Sequence, residues 1–64
     1  MSDDRWRHDL KNQLGIVVGF SELLLNDMAA ADRHRPDVEE IHKAARRALD
    51  LVASLARLGE GEAS

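Results

Sequence analysis

The sequence predicts an all-α protein, an antiparallel helical hairpin that pairs with a second copy into a homodimeric four-helix bundle. Three observations carry this expectation. Apolar residues recur at steps of three and four along two long stretches, Pro36 is the only strong breaker between them, and the apolar content is mostly Leu, Ala, Val and Ile, with Trp6 and Phe20 the only aromatics. Size points the same way: 64 residues without a cysteine bury too little surface to be comfortably stable alone, and association is the remaining common remedy.

The first helix is predicted over residues 3–29. Leu10, Leu14, Val17, Ser21, Leu24 and Met28 stand at spacings of 4, 3, 4, 3 and 4, flanked by Phe20 and Leu25. The following run, Ala30-Ala31-Asp32-Arg33-His34-Arg35, has no apolar period and predicts a loop over 30–35. Proline suits the first turn of a helix and disfavours helical geometry in the residue before it, so the second helix is predicted over 36–58. Its seam is Val38, Ile41, Ala45, Ala48, Val52 and Leu55, widened by Ala44, Leu49, Leu51, Ala56 and Leu58. Glu39–Lys43 and Arg46–Asp50 are expected to pair on a solvated face. Gly59 and Gly61 are expected to end the helix, leaving a frayed tail over 59–64 and making residues 1–64 a single domain. A loop of about six residues makes the helices antiparallel neighbours, and a helix of about 25 residues runs near 40 Å, so a rod is expected. One hairpin leaves each broad apolar face half uncovered. Two hairpins cover all four.

Composition excludes several classes. A net charge of −3 argues against a general nucleic-acid binder, which needs a basic face. No run approaches the roughly 18 apolar residues of a membrane span, and Met1-Ser2-Asp3-Asp4 is no signal peptide. A cytoplasmic location is expected, and the lack of cysteine fits it. Met1 and the glycine-punctuated end read as those of a complete product.

With Leu10, Leu14, Val17 and Leu24 inward, the opposite line of the first helix is His8, Asn12, Gly15, Gly19, Glu22 and Asn26. His8 is then exposed about one turn from Asn12, and an exposed imidazole offers a neutral nucleophilic nitrogen near neutral pH. Asp9 follows His8 directly, but adjacent helical residues point about 100° apart, so its help is expected to need a rotamer change or a bound partner. Gly15 and Gly19 each cost about 1 kcal/mol relative to alanine inside a helix. Together with Ile16, Glu22 and Leu23 they are expected to form a smooth docking surface; the alternative is that they permit a bend. His34 and His42 form no i,i+4 histidine pair, so no metal site is expected. His42 is expected at the seam's boundary, with Arg33 and Arg35 in a solvated loop.

The run His8-Asp9-Leu10-Lys11-Asn12-Gln13-Leu14, continued through Gly15-Ile16-Val17-Val18-Gly19-Phe20-Ser21-Glu22-Leu23-Leu24, resembles the H-box of the HisKA-type domain of sensor histidine kinases. That domain serves dimerisation and histidine phosphotransfer, and the resemblance covers essentially the whole chain. It implies His8 as the phosphoacceptor, Asp9 as the acidic neighbour that raises its nucleophilicity, and Asn12 as the residue orienting a phosphate or a hydrolytic water. Gln13 departs from the pattern, because many members carry proline there. The family's ATP-binding domain, with its asparagine and glycine-rich boxes, does not occur within these residues.

The expected function is therefore histidine phosphotransfer in a two-component phosphorelay, with His8 exchanging a phosphoryl group with an aspartate on a response-regulator receiver. A separate histidine kinase or ATP-binding domain is the expected donor. No cofactor is expected in this chain, and Mg2+ is expected on the partner receiver or kinase. Two alternatives use the same surface: a phosphatase of the regulator with Asn12 positioning water, and a dimeric adaptor that carries no phosphate. A plain helical dimerisation module is the remaining one.

Overall fold

The computed structural model describes residues 5–63, with side-chain surroundings for residues 5–55. Two helices, α1 (Arg5–Asp27) and α2 (Arg35–Ala63), pack against each other as a hairpin joined by residues 28–34. The antiparallel sense is fixed by pairings that run in opposite directions: Ser21 meets His42, and Arg7 reaches the Leu55 carbonyl at 3.4 Å. The rod measures 50 × 16 × 13 Å. Its radius of gyration is 15.2 Å, against about 11 Å for a compact domain of this length.

Side chains organise the turn. Asp32 accepts a hydrogen bond from the His34 amide on its carboxylate at 2.8 Å, and its carbonyl accepts from the Arg35 amide at 3.1 Å. Pro36 stands in the first turn of α2, where its missing N–H leaves no helical bond unmade. Asp37 adds a negative charge beside that helix's positive end.

Arg35, expected in a solvated loop, is instead the first residue of α2, and it closes α1. The last carbonyls of a helix have no intrahelical donor, and α1 carries no basic residue in its last turn. Arg35 Nη1 supplies the donor, bonding the Leu25 carbonyl at 2.8 Å and the Met28 carbonyl at 3.0 Å. Its Nε lies 3.3 Å from Glu39 Oε2, which holds the guanidinium in place.

Three further expectations are corrected by the fold. The second helix does not end near residue 58: it runs through Gly59 and Gly61 to Ala63, and no glycine among the described residues has a positive φ. Glycine disfavours a helix by only about 1 kcal/mol, and without a left-handed residue there is no helix-ending motif. The expected surface pairs are also exchanged. Glu39 pairs with Arg35, while Lys43 pairs with Glu40 at 3.3 Å; Arg46 and Asp50 are not within ion-pairing distance. The third correction concerns the seams.

The apolar and polar side chains that turn inward include Leu14, Val18, Ser21, Leu25 and Met28 on α1, and Val38, His42, Ala45, Ala48, Leu49 and Val52 on α2. Ser21, Ala45 and Val52 are the most buried, at 4, 6 and 6% exposure. Leu10, Val17, Leu24, Ile41 and Leu55, drawn into the seams by their spacing, are exposed in the hairpin. The reason is geometric. Both helices are apolar over a wider arc than one partner covers, so the three-and-four spacing averaged two neighbouring stripes into one. Each exposed stripe stands one residue before the inward positions, as Val17 before Val18 and Ile41 before His42. Because the helices are antiparallel, those two offsets turn toward the same side. Leu10, Val17, Phe20 and Leu24 of α1 and Ile41, Leu51 and Leu55 of α2 thus flank one side of the rod.

Candidate functional site

His8 lies in the first turns of α1, on the side away from the exposed apolar stripe. Each helical residue turns by about 100°, which places His8 nearly opposite Leu10, Val17 and Leu24. Its side chain is 74% exposed, open to a macromolecular partner. Asp9 Oδ1 stands 3.7 Å from His8 Nδ1 in the free hairpin. Of the two expected routes, a rotamer change or a bound partner, the free hairpin shows the first: side-chain torsions of two short residues close the angular gap. The distance is slightly beyond hydrogen-bond length but well within electrostatic range. A carboxylate facing Nδ1 favours the tautomer with its proton there, which leaves the lone pair on Nε2.

Asn12 is exposed one turn further along α1. It lines an open, mostly apolar concavity of about 540 Å³ with Lys11, Gly15, Ile16 and Leu49. Of the surface expected for docking, the concavity thus joins Gly15 and Ile16; Gly19, Glu22 and Leu23 lie outside it. Leu23 and Ile16 are 58 and 51% exposed. Sequence reasoning missed Lys11 and Leu49 as members of this place. Lys11 was legible as a cation three residues after His8 and next to Asn12. Leu49 was placed only on the widened apolar face of α2, with nothing local to show that it reaches α1 beside Gly15.

The glycines have no structural cause within the hairpin. A Cβ built on Gly15 or Gly19 meets nothing within 4 Å, neither residue has a positive φ, and α1 runs unbroken through both. At Gly15 the missing side chain leaves room that the concavity occupies.

His42 and His34 are placed differently from His8. His42 is half-buried, as expected of a residue at the seam's boundary, and its ring is bonded to Ser21. His34 sits on the turn, where its Nε2 accepts a long 3.4 Å bond from Arg33 Nε. Among the described residues no three His, Cys, Asp or Glu side chains group as metal ligands. No described helix is long and apolar enough to cross a membrane.

An exposed histidine with a flanking carboxylate near one end of a helical hairpin is open to phosphoryl chemistry. Residues 5–63 match the His Kinase A (phospho-acceptor) domain, and the chain belongs to that family. Its place is the phospho-acceptor and dimerisation role in two-component signalling, a role in which such domains work with kinase partners. No curated protein and no solved structure matches the chain.

Proposed function

We propose that the protein is a histidine phosphotransfer unit of a phosphorelay, working as a homodimer and exchanging a phosphoryl group between His8 and a receiver aspartate. The observation that carries this reading is the exposed His8, with Asp9 at Nδ1 and Nε2 free, on the side opposite the apolar stripe. In the forward step the Nε2 lone pair attacks phosphorus, the P–N bond forms, and the P–O bond to the donor breaks. The donor oxygen leaves on ADP when a kinase supplies the group, or on the carboxylate when a phosphorylated receiver does. The imidazole ring gains positive charge as the bond forms, and the Asp9 carboxylate stabilises it. Asn12 and Lys11, within one turn of His8, meet the phosphoryl oxygens with an amide and a cation. Mg2+ belongs to the partner's phosphate site, and the reaction is assigned to the cytoplasm.

The dimer is supported by area. The hairpin exposes 5225 Å², whereas a folded monomer of 7.1 kDa exposes about 4,100 Å². The excess, about 1,100 Å², matches the order of what one partner buries in a standard interface, roughly 800 Å². The stripe of Leu10, Val17, Phe20, Leu24, Ile41, Leu51 and Leu55 is the surface this burial covers.

The concavity over Gly15 takes the receiver, with Ile16, Gly19, Glu22 and Leu23 extending the docking surface. It also favours a second reading, in which Asn12 positions a water that dephosphorylates the docked regulator. Incubation with a phosphorylated receiver and Mg2+ separates the readings. Transfer predicts acid-labile, base-stable phosphate on the chain, lost in His8→Gln. Regulator dephosphorylation that survives His8→Gln but falls in Asn12→Ala would establish the phosphatase. Binding without labelling or dephosphorylation would leave an adaptor and overturn both.

A further inference from the structure

The most buried residue of α1 is a serine. Ser21 is 4% exposed and bonds across the hairpin to His42, Oγ to Nδ1, at 2.8 Å. Its hydroxyl also donates to the Val18 carbonyl at 2.9 Å. With its proton so used, the hydroxyl oxygen accepts from His42, which assigns the His42 proton to Nδ1. Both residues occupy inward positions whose neighbours are apolar: Leu14, Val18 and Leu25 on one helix, and Val38, Ala45, Leu49 and Val52 on the other.

The helices need such a contact. α1 has two adjacent apolar stripes, Leu14-Val18-Leu25 and Leu10-Val17-Leu24, separated by most of one residue's roughly 100° turn. α2 has the same ambiguity, with Leu49 and Val52 on one stripe and Ile41 and Leu55 on the other. Hydrophobic burial is non-directional, and either stripe of similar leucines and valines would fill the space between the helices. The turn and the Arg35 cap fix how far the helices slide, but neither fixes their rotation along their length. A directional bond between two interior polar groups does, because any rotation that turns the second stripes inward breaks it and leaves both groups facing apolar neighbours.

We infer that the Ser21–His42 hydrogen bond is a rotational lock that selects which stripe each helix turns inward. It keeps Leu10, Val17 and Leu24 on the free side and thereby holds His8 on the opposite one. The inference concerns the hairpin alone and does not depend on His8 carrying phosphate.

The chain has no cysteine, so engineered pairs report the rotation. The pair Val18→Cys with Ala45→Cys is expected to form an intrachain disulfide at least about tenfold faster than Val17→Cys with Ala45→Cys, with non-reducing mass analysis excluding interchain products. In the Ser21→Ala/His42→Leu background the preference is expected to fall toward unity while helix content is retained. Ser21→Thr, which keeps the hydroxyl, should retain it. Two results overturn the lock. One is an Ser21→Ala/His42→Leu protein that remains folded with the tenfold preference intact. The other is loss of helix content in that protein, which makes the bond a support of stability rather than a selector.

Discussion

On one side of α1, Leu10, Val17, Phe20 and Leu24 stand 39 to 64% exposed; on the other, His8, Asn12, Gly15 and Gly19 present a histidine, an amide and two absent side chains. The first side offers much apolar area and little chemistry. The second offers reactive groups over backbone left bare, and an added Cβ there would meet only open space. The contrast separates two tasks along one helix. A permanent partner is held by area, whereas a transient partner needs access, shape and a group to react with.

Substitutions that act on one side alone test this division. The largest effect is expected from His8→Gln, which should lower phosphate labelling at least about a hundredfold while circular dichroism and sedimentation stay unchanged. Next comes Phe20→Asp with Leu24→Asp on the apolar side. Placing charges there should weaken self-association at least about a hundredfold in analytical ultracentrifugation, since burying unpaired carboxylates is strongly unfavourable. Gly15→Arg should do the reverse: receiver affinity falls at least about tenfold with self-association retained, because the new side chain fills the concavity beside Asn12. A Gly15→Arg protein that loses self-association would break the contrast between the sides.

Smaller effects sharpen the picture of the hairpin itself. Removing the cap with Arg35→Ala leaves the Leu25 and Met28 carbonyls without their donor. Charged hydrogen bonds contribute about 1.5–3 kcal/mol, and the partial exposure of Arg35 places the expected loss near 1–2 kcal/mol, read as a lowered urea midpoint. Gly15→Ala should raise stability by roughly 0.5–1 kcal/mol, since its Cβ meets no atom within 4 Å. A destabilising Gly15→Ala would mean that the glycine serves the hairpin rather than the surface.

The hairpin was legible because Pro36 and the unpatterned run before it divide two strongly periodic stretches. The exposure of His8 was legible for the same reason, being set by its distance from any apolar stripe. Rotation was not. Periodicity locates the centre of an apolar arc, and where the arc is wider than the facing helix covers that centre falls off the inward line, which is why Val17 and Leu24 were drawn inward in place of Val18 and Leu25. The bond of His42 was not legible because its partner, Ser21, lies 21 residues away, beyond any local pattern. Arg35 was misjudged for a related reason: its work is done on carbonyls of the preceding helix. The end of α2 escaped because glycine allows a helix to stop without requiring it to.

The proposed phosphotransfer puts the phosphoryl group on His8, not on His34 of the turn or on His42, which is half-buried and bonded to Ser21. Phosphorylating the wild-type chain through a receiver or kinase donor and locating the modification by mass spectrometry tests this directly. The account predicts a single phosphoryl group on His8, absent in His8→Gln and undiminished in His34→Gln. Phosphate that persists in His8→Gln, or that maps to His34 or His42, would contradict it.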